Sequence, residues 1–160
     1  MRTLKVNVPE GYEIDKEKST FENIVFKKKD DVVIRWDKNG SGVEIKADGE
    51  HFILSADMPM YYCSWGNAMR HYNEGLFGLL PTVGLPTWKL PTVKQLQVIA
   101  KYIDKVNEVI RENGGFEIYG RLWSCEEKDK FWAWNVGMSN GGTYYSDKGY
   151  DYYVRSVSAL

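Results

Sequence analysis

The chain carries two thiols, Cys63 and Cys125, and two imidazoles, His51 and His71. A thiol activated by an imidazole is the nucleophilic chemistry these residue types allow. It would need Cys63 or Cys125 exposed in a cleft with His51 or His71 nearby. No surrounding motif supports such a pair, and a free cysteine is most often a small buried hydrophobe. A metal site would need His, Cys, Asp or Glu clustered at ligand spacing. The closest approach, Glu126-Glu127 ahead of Lys128-Asp129-Lys130, reads as a solvated loop. Gly40-Ser41-Gly42 joins two strand-like runs with neither helix nor lysine behind it, so it is not a phosphate cradle. His51 beside a turn is a surface residue by default. These residues imply no catalysis, no cofactor and no metal.

Recognition chemistry is better represented. Residues 121–160 crowd Phe131, Trp132, Trp134, Tyr144, Tyr145, Tyr150, Tyr152 and Tyr153 into strand-like runs. FWAWNVG and GTYYS flank Ser139-Asn140-Gly141-Gly142, a turn composition that predicts a hairpin. Adjacent strand residues point to opposite faces. Trp132 and Trp134 should therefore share one face, with Phe131 and Ala133 on the other. One face can enter a core. The second either forms a binding surface built of rigid aromatics or lies buried under another layer with tyrosine hydroxyls at its edges. The interleaved Asn135, Ser139, Asn140, Asp147 and Asp151 favour the binding surface.

The elements that must position these residues are read as follows. LKVNV (4–8) and FENIVF (21–26) predict strands separated by a polar connector, 12–19. VVIRWD, VEIKAD and HFILSAD predict a small antiparallel meander with turns at 38–42 and 48–50. Ser64 caps a short helix carrying Trp65, Ala68, Met69 and Tyr72, and LFGLLPTVGLPTWK predicts an apolar loop tucked over a core. The clearest helix begins at Thr92, which forms a capping box with Gln95 and follows Pro91. Val93, Leu96, Ile99, Ala100, Ile103, Val106, Val109 and Ile110 form its apolar stripe, and Asn113-Gly114-Gly115 ends it. With 160 residues and 43% hydrophobic content, the whole of 1–160 is expected to form one domain with a proper core.

Four motifs in order resemble a known group: the Trp88-Lys89-Leu90-Pro91-Thr92 helix entry, Trp123-Ser124-Cys125-Glu126-Glu127, Ala133-Trp134, and Val154-Arg155-Ser156-Val157. The helix at Ser64-Trp65-Gly66-Asn67-Ala68-Met69 stands where that group has its first. The group is the Legionella collagen-like C-terminal and Fibrobacter paralogous domains, whose fold is C-type-lectin-like. The resemblance covers about 60–160. It implies an α+β fold with two helices flanking antiparallel strands, chain ends close together, and residues 1–55 as an added β-meander beside a lectin-like part, 56–160. In one branch, the target proteins of diversity-generating retroelements from gut bacteria and phages, the late strands carry a hypervariable ligand surface. By that resemblance Trp132, Asn135, Ser139, Asn140, Tyr144, Tyr145, Asp147, Tyr150, Asp151 and Tyr152 face a protein or glycan partner. Trp123, Trp134, Val154, Arg155 and Val157 are framework. The lectin calcium motifs are missing, since Trp134-Asn135-Val136 lacks the aspartate of WND.

The expected function is thus a non-enzymatic binding domain, as a variable receptor-binding protein of a phage or mobile element. The alternatives are an assembly component whose aromatic face packs on sister chains, and a cysteine enzyme. A net charge of −1 gives no basic field for nucleic acid or anionic membrane. No run approaches membrane-spanning length and the first residues lack a signal-peptide core. The expected location is therefore the cytoplasm as synthesised, or a phage particle.

Overall fold

The structure is a computed structural model describing residues 5–29, 31–56, 61–73 and 88–160. It is a mixed α+β protein, mostly β, that divides into two units at Asp31/Val32. The meander expected at 1–55 divides there, and residues 32–55 belong with the rest of the chain.

In the first unit, β1 (Tyr12–Ile14) pairs antiparallel with β2 (Phe26–Lys28). This corrects both early strand expectations. Residues 5–8 form no strand, and β1 falls inside the expected polar connector. Local side-chain bonds explain why most of FENIVF stays out of a ladder. The Ser19 hydroxyl accepts from the Val25 amide at 2.8 Å and reaches its carbonyl at 3.1 Å, while Thr20 and Asn23 bond each other's backbone.

In the second unit, β3 (Val33–Trp36), β4 (Gly42–Ala47) and β5 (Glu50–Ser55) form the expected meander. The chain's last strand, β11 (Val157–Ala159), adds to β5, so the sheet order is β11-β5-β4-β3. A second sheet holds β6 (Tyr61–Ser64), β7 (Arg121–Glu127), β8 (Trp132–Gly137), β9 (Thr143–Asp147) and β10 (Asp151–Val154) in the order β6-β10-β7-β8-β9. All its pairings are antiparallel except β10 with β7.

The end of the chain is therefore two strands in two sheets, β10 and β11. Arg155 sits at the crossing and is 1% exposed. It donates to the Ser55 carbonyl at 2.8 Å and the Phe116 carbonyl at 2.7 Å, and the Ser55 amide donates to the Ser156 carbonyl. These bonds hold the chain as it leaves one sheet for the other.

The helices are α1 (Trp65–Asn73), α2 (Val93–Lys101) and α3 (Ile103–Glu112). Ser64 accepts from the Asn67 amide at 3.4 Å, and Thr92 and Gln95 form the full capping box. The helix expected as continuous from Thr92 to Asn113 breaks at Tyr102, whose φ of −110° and ψ of 25° leave helical geometry. Its apolar stripe still faces one core across the break. Leu96, Ile99, Ala100, Val106, Val109 and Ile110 are buried there, with Val93 and Ile103 packed at its margin. The apolar loop expected at 76–89 lies largely outside the described residues.

Two cores result. The larger gathers α2 and α3 against the β11-β5-β4-β3 sheet and against Leu122 and Val136 of the five-stranded sheet. The smaller lies under α1, where Trp65 and Ala68 meet Trp123, Ala133 and Val154. The five-stranded sheet is thus covered on parts of both faces, which is why its strands can be apolar on both sides. Trp65 and Trp123 each donate an indole hydrogen bond across this second core, to the Ser124 and Cys63 carbonyls at 2.8 and 2.9 Å.

Candidate recognition surface

The β8–β9 hairpin forms as its composition predicts. The Gly141 amide donates to the Gly137 carbonyl at 2.8 Å, and the Gly137 amide to the Gly142 carbonyl at 3.0 Å. The Asn140 side chain accepts from the Gly142 amide at 2.9 Å, and Gly141 takes the left-handed φ of +69° that such a turn needs.

On one face of the hairpin, Trp132 and Trp134 lie side by side, as period-two alternation requires, and Tyr145 packs edge-on against both. Ring centroids are 5.8 Å apart for Trp132–Tyr145 and 5.4 Å for Trp134–Tyr145. Trp132 is 38% exposed and Tyr145 49%. The Lys128 ammonium stands 3.2 Å from the Tyr145 centroid, an attractive cation–π placement. It is held by a tight turn. The Asp129 carboxylate accepts from the Phe131 and Trp132 amides, and the Trp132 carbonyl accepts from the Lys128 amide. Beside Trp134 a shallow pocket of about 240 Å³ is lined by Val93, Glu126 and Thr143. The Glu126 carboxylate accepts from the Val93 amide at 2.6 Å, so it sits at the positive start of α2.

The opposite face carries Asn135, Tyr144 and Tyr152. Asn135 is fully buried and donates to Ser146 at 3.0 Å, and Ser146 in turn bonds the Tyr152 hydroxyl at 3.0 Å. Asn135 was expected to face a partner. It lies instead opposite the buried Trp123, under the smaller core, and faces none. Tyr144 and Tyr152 are half-buried. Ser139 and Asn140 are exposed in the hairpin turn, and Asp147, Tyr150 and Asp151 are exposed at the β9–β10 turn. The ten expected positions therefore divide between two faces and two ends of the sheet. The cluster brought together on one open face is Trp132 and Tyr145, joined by Trp134, which the resemblance had made framework.

Cys63 and Cys125 are unpaired and half-buried, and burial raises both thiols above the usual range, helped by Asp151 and Glu126 respectively. The His51 imidazole lies 3.8 Å from the partly buried carboxylate of Glu44, and the side chain of His71 lies outside the described residues. Among the described residues no three His, Cys, Asp or Glu side chains could hold a metal ion, and no helix is long and apolar enough to cross a membrane. A larger concavity of about 370 Å³ near Phe116 and Tyr119 is spanned by the Arg111–Glu117 ion pair at 3.6 Å. Tyr119 there packs against Tyr153, whose hydroxyl burial pushes up, aided by Tyr119.

No model of a known protein family matches this chain, and no curated protein does. The site thus rests on its own geometry.

Lys128 and Glu126 are the site residues that sequence reading missed. Lys128 and Glu126 were read as solvated loop, and their roles depend on which ring or amide the side chain reaches. Trp134 had a usable signal, since it shares the period-two face of Trp132.

Proposed function

We propose that this protein is a non-enzymatic binding domain of C-type-lectin-like architecture, presenting the outer face of its β8–β9 hairpin to a protein or glycan partner. The observation that carries this reading is the Trp132–Trp134–Tyr145 cluster with Lys128 over one ring and a small pocket at its margin. Two indoles and a phenol left partly open on one face offer rigid contact area at low entropic cost. Tyr144, Tyr145, Tyr150 and Tyr152 all retain exposure, which a purely structural sheet would not need. Support for the lectin-like architecture comes from the antiparallel pairing of β6 with β10, which joins the two ends of the stretch 61–154. A role as the receptor-binding protein of a phage or mobile element extends the same reading.

The test is retention on a panel of immobilised neutral glycans, followed by tryptophan emission on titration. The intact protein should hold at least one glycan and lose it on Trp132→Ala or Tyr145→Ala. Equal behaviour of intact and substituted proteins would overturn the glycan arm. The protein-partner arm predicts that close isolates differ at Trp132, Tyr145, Tyr150 and Asp151 while Trp123 and Arg155 stay fixed; evenly scattered differences would overturn it.

A further inference from the structure

The reverse face of the same sheet carries a cation that no described residue neutralises. Arg121 opens β7, with Gly137 beside it on β8. The guanidinium carbon lies 3.9 Å from the Tyr144 ring centroid and 5.9 Å from that of Tyr152. Glycine makes this stack possible. A Cβ on Gly137 would come 3.0 Å from the Asn140 side-chain oxygen and 3.5 Å from the Tyr144 ring, and one on Gly142 would meet the Tyr144 hydroxyl at 2.9 Å. The hydroxyl-bearing edge of the Tyr144 ring therefore rests against this glycine pair, and Asn140 fixes it by donating to its hydroxyl at 3.0 Å. The open side of that ring is where Arg121 rests.

Stacking orients the guanidinium but satisfies none of its hydrogen-bond donors. Among the described residues, Arg121 has no ion pair and no hydrogen bond from its guanidinium. Other strand positions registered to this face include Trp123, Ala133, Asn135, Tyr144, Ser146, Tyr152, Val154 and Cys63. None of those is charged. Glu127, at the far end opposite Ala133, is paired with Lys148 at 3.5 Å. Opposite Tyr144 in the strand register, the buried Asn135 Oδ1 has no hydrogen-bond partner among the described residues.

We infer that Arg121, cradled by Tyr144 and Tyr152, is an anchor for a single carboxylate of an acidic peptide segment. One cation matches one carboxylate, and the planar fork can take both its oxygens, whereas a dianionic phosphate would call for a second cation, and Lys148, over the Trp65 ring, is already paired with Glu127. A neutral sugar is disfavoured here because the Arg121 guanidinium already covers a face of the Tyr144 ring. Holding the side chain by stacking removes part of the ordering cost that makes exposed ion pairs weak. This anchor lies on the opposite face from the Trp132–Tyr145 cluster, so it stands or falls separately from the function proposed above.

The probe is a short Gly-Glu repeat peptide, titrated into the isotope-labelled full chain and followed by amide NMR. The controls are the same peptide with Gln for Glu, and trigalacturonate. The Glu peptide should shift the amides of Arg121, Gly137 and Tyr144, and the Gln peptide should not. Arg121→Gln should weaken the effect about tenfold, the loss of one charge-assisted contact. Arg121→Lys, which keeps the charge without the fork, should weaken it nearly as much. The unperturbed amides of the β3–β5 meander report that each variant is folded, and Trp132→Ala should leave the titration unchanged. Equal shifts with the Gln peptide, or an Arg121→Gln titration like that of the intact protein, overturn the inference. Shifts from trigalacturonate alone would assign the anchor to an acidic sugar and overturn the peptide.

Discussion

Replacing Arg155 by methionine tests how the two sheets of this protein are joined. The guanidinium is 1% exposed and makes two short bonds, 2.8 Å to the Ser55 carbonyl and 2.7 Å to the Phe116 carbonyl. Hydrogen bonds to a charged group contribute about 1.5–3 kcal/mol each, so the pair is worth about 3–6 kcal/mol. Methionine fills much of the same volume and removes a costly buried cation, which returns part of that loss. The expected net destabilisation is about 2–4 kcal/mol, a large share of the 5–15 kcal/mol typical of a domain. With a urea slope of about 1–3 kcal/mol per molar, the midpoint should fall by roughly 1–2 M. Urea unfolding followed by tryptophan emission reads this directly. Arg155→Lys should fall between, because an ammonium is a point donor and cannot span both carbonyls as the fork does. A midpoint that is unchanged or raised for Arg155→Met would refute the reasoning. It would mean that desolvating the guanidinium costs as much as its bonds return, as happens in some buried ion pairs.

Other substitutions probe single contacts. Thr92→Ala removes the hydroxyl that accepts from the Gln95 amide and should cost about 1 kcal/mol, seen as a drop of a few degrees in thermal midpoint. Gly42→Ala would drive a Cβ into the Leu54 backbone carbonyl at the β4–β5 pairing, and folded protein should be lost from the soluble fraction. Burial raises the Cys63 and Cys125 thiols, so iodoacetamide should alkylate both more slowly than a free cysteine at neutral pH. Because the folded pKa values lie above the unfolded one, their contribution to stability is complete below about pH 8.5 and is lost as pH rises through the folded values. Chemical unfolding from neutral to alkaline pH checks the sign.

Much of the architecture is legible in the sequence where local chemistry decides it. Thr92 and Gln95 announce a cap, and Asn140-Gly141-Gly142 announces a turn; neither depends on distant parts of the chain. The break at Tyr102 is not legible, because the apolar stripe continues through it and neither Pro nor Gly marks it. The split of 152–159 between two sheets is also hidden. Alternation of residues reads the same whether the strand continues or changes partners, and only the long-range bonds of Arg155 to Ser55 and Phe116 reveal the crossing. At the N-terminus, LKVNV alternates well, yet no strand forms over 5–8, since alternation is a pattern that needs a partner strand to become structure.

The recognition surface shows the same boundary between what is local and what is not. Period-two parity separates Trp132 and Trp134 from Ala133 and Asn135, and the separation holds. Parity cannot say how far each face is covered, and this sheet is covered on both, by α2 and α3 near Leu122 and Val136 and by α1 near Trp123 and Ala133. Polarity then misleads: Asn135 looks like a surface residue but is interior, where its amide bonds Ser146. The cations are missed for a related reason. Lys128 and Arg121 matter through the rings they lie over, Tyr145 and Tyr144, and those belong to other strands. Adjacent residues of β9 thus serve opposite faces, each ring holding one cation. A charge reversal at Lys128 should disturb only the Trp132–Tyr145 face, and one at Arg121 only the Tyr144 face. Coupling between the two in a double-substitution cycle would contradict a sheet that acts as a partition.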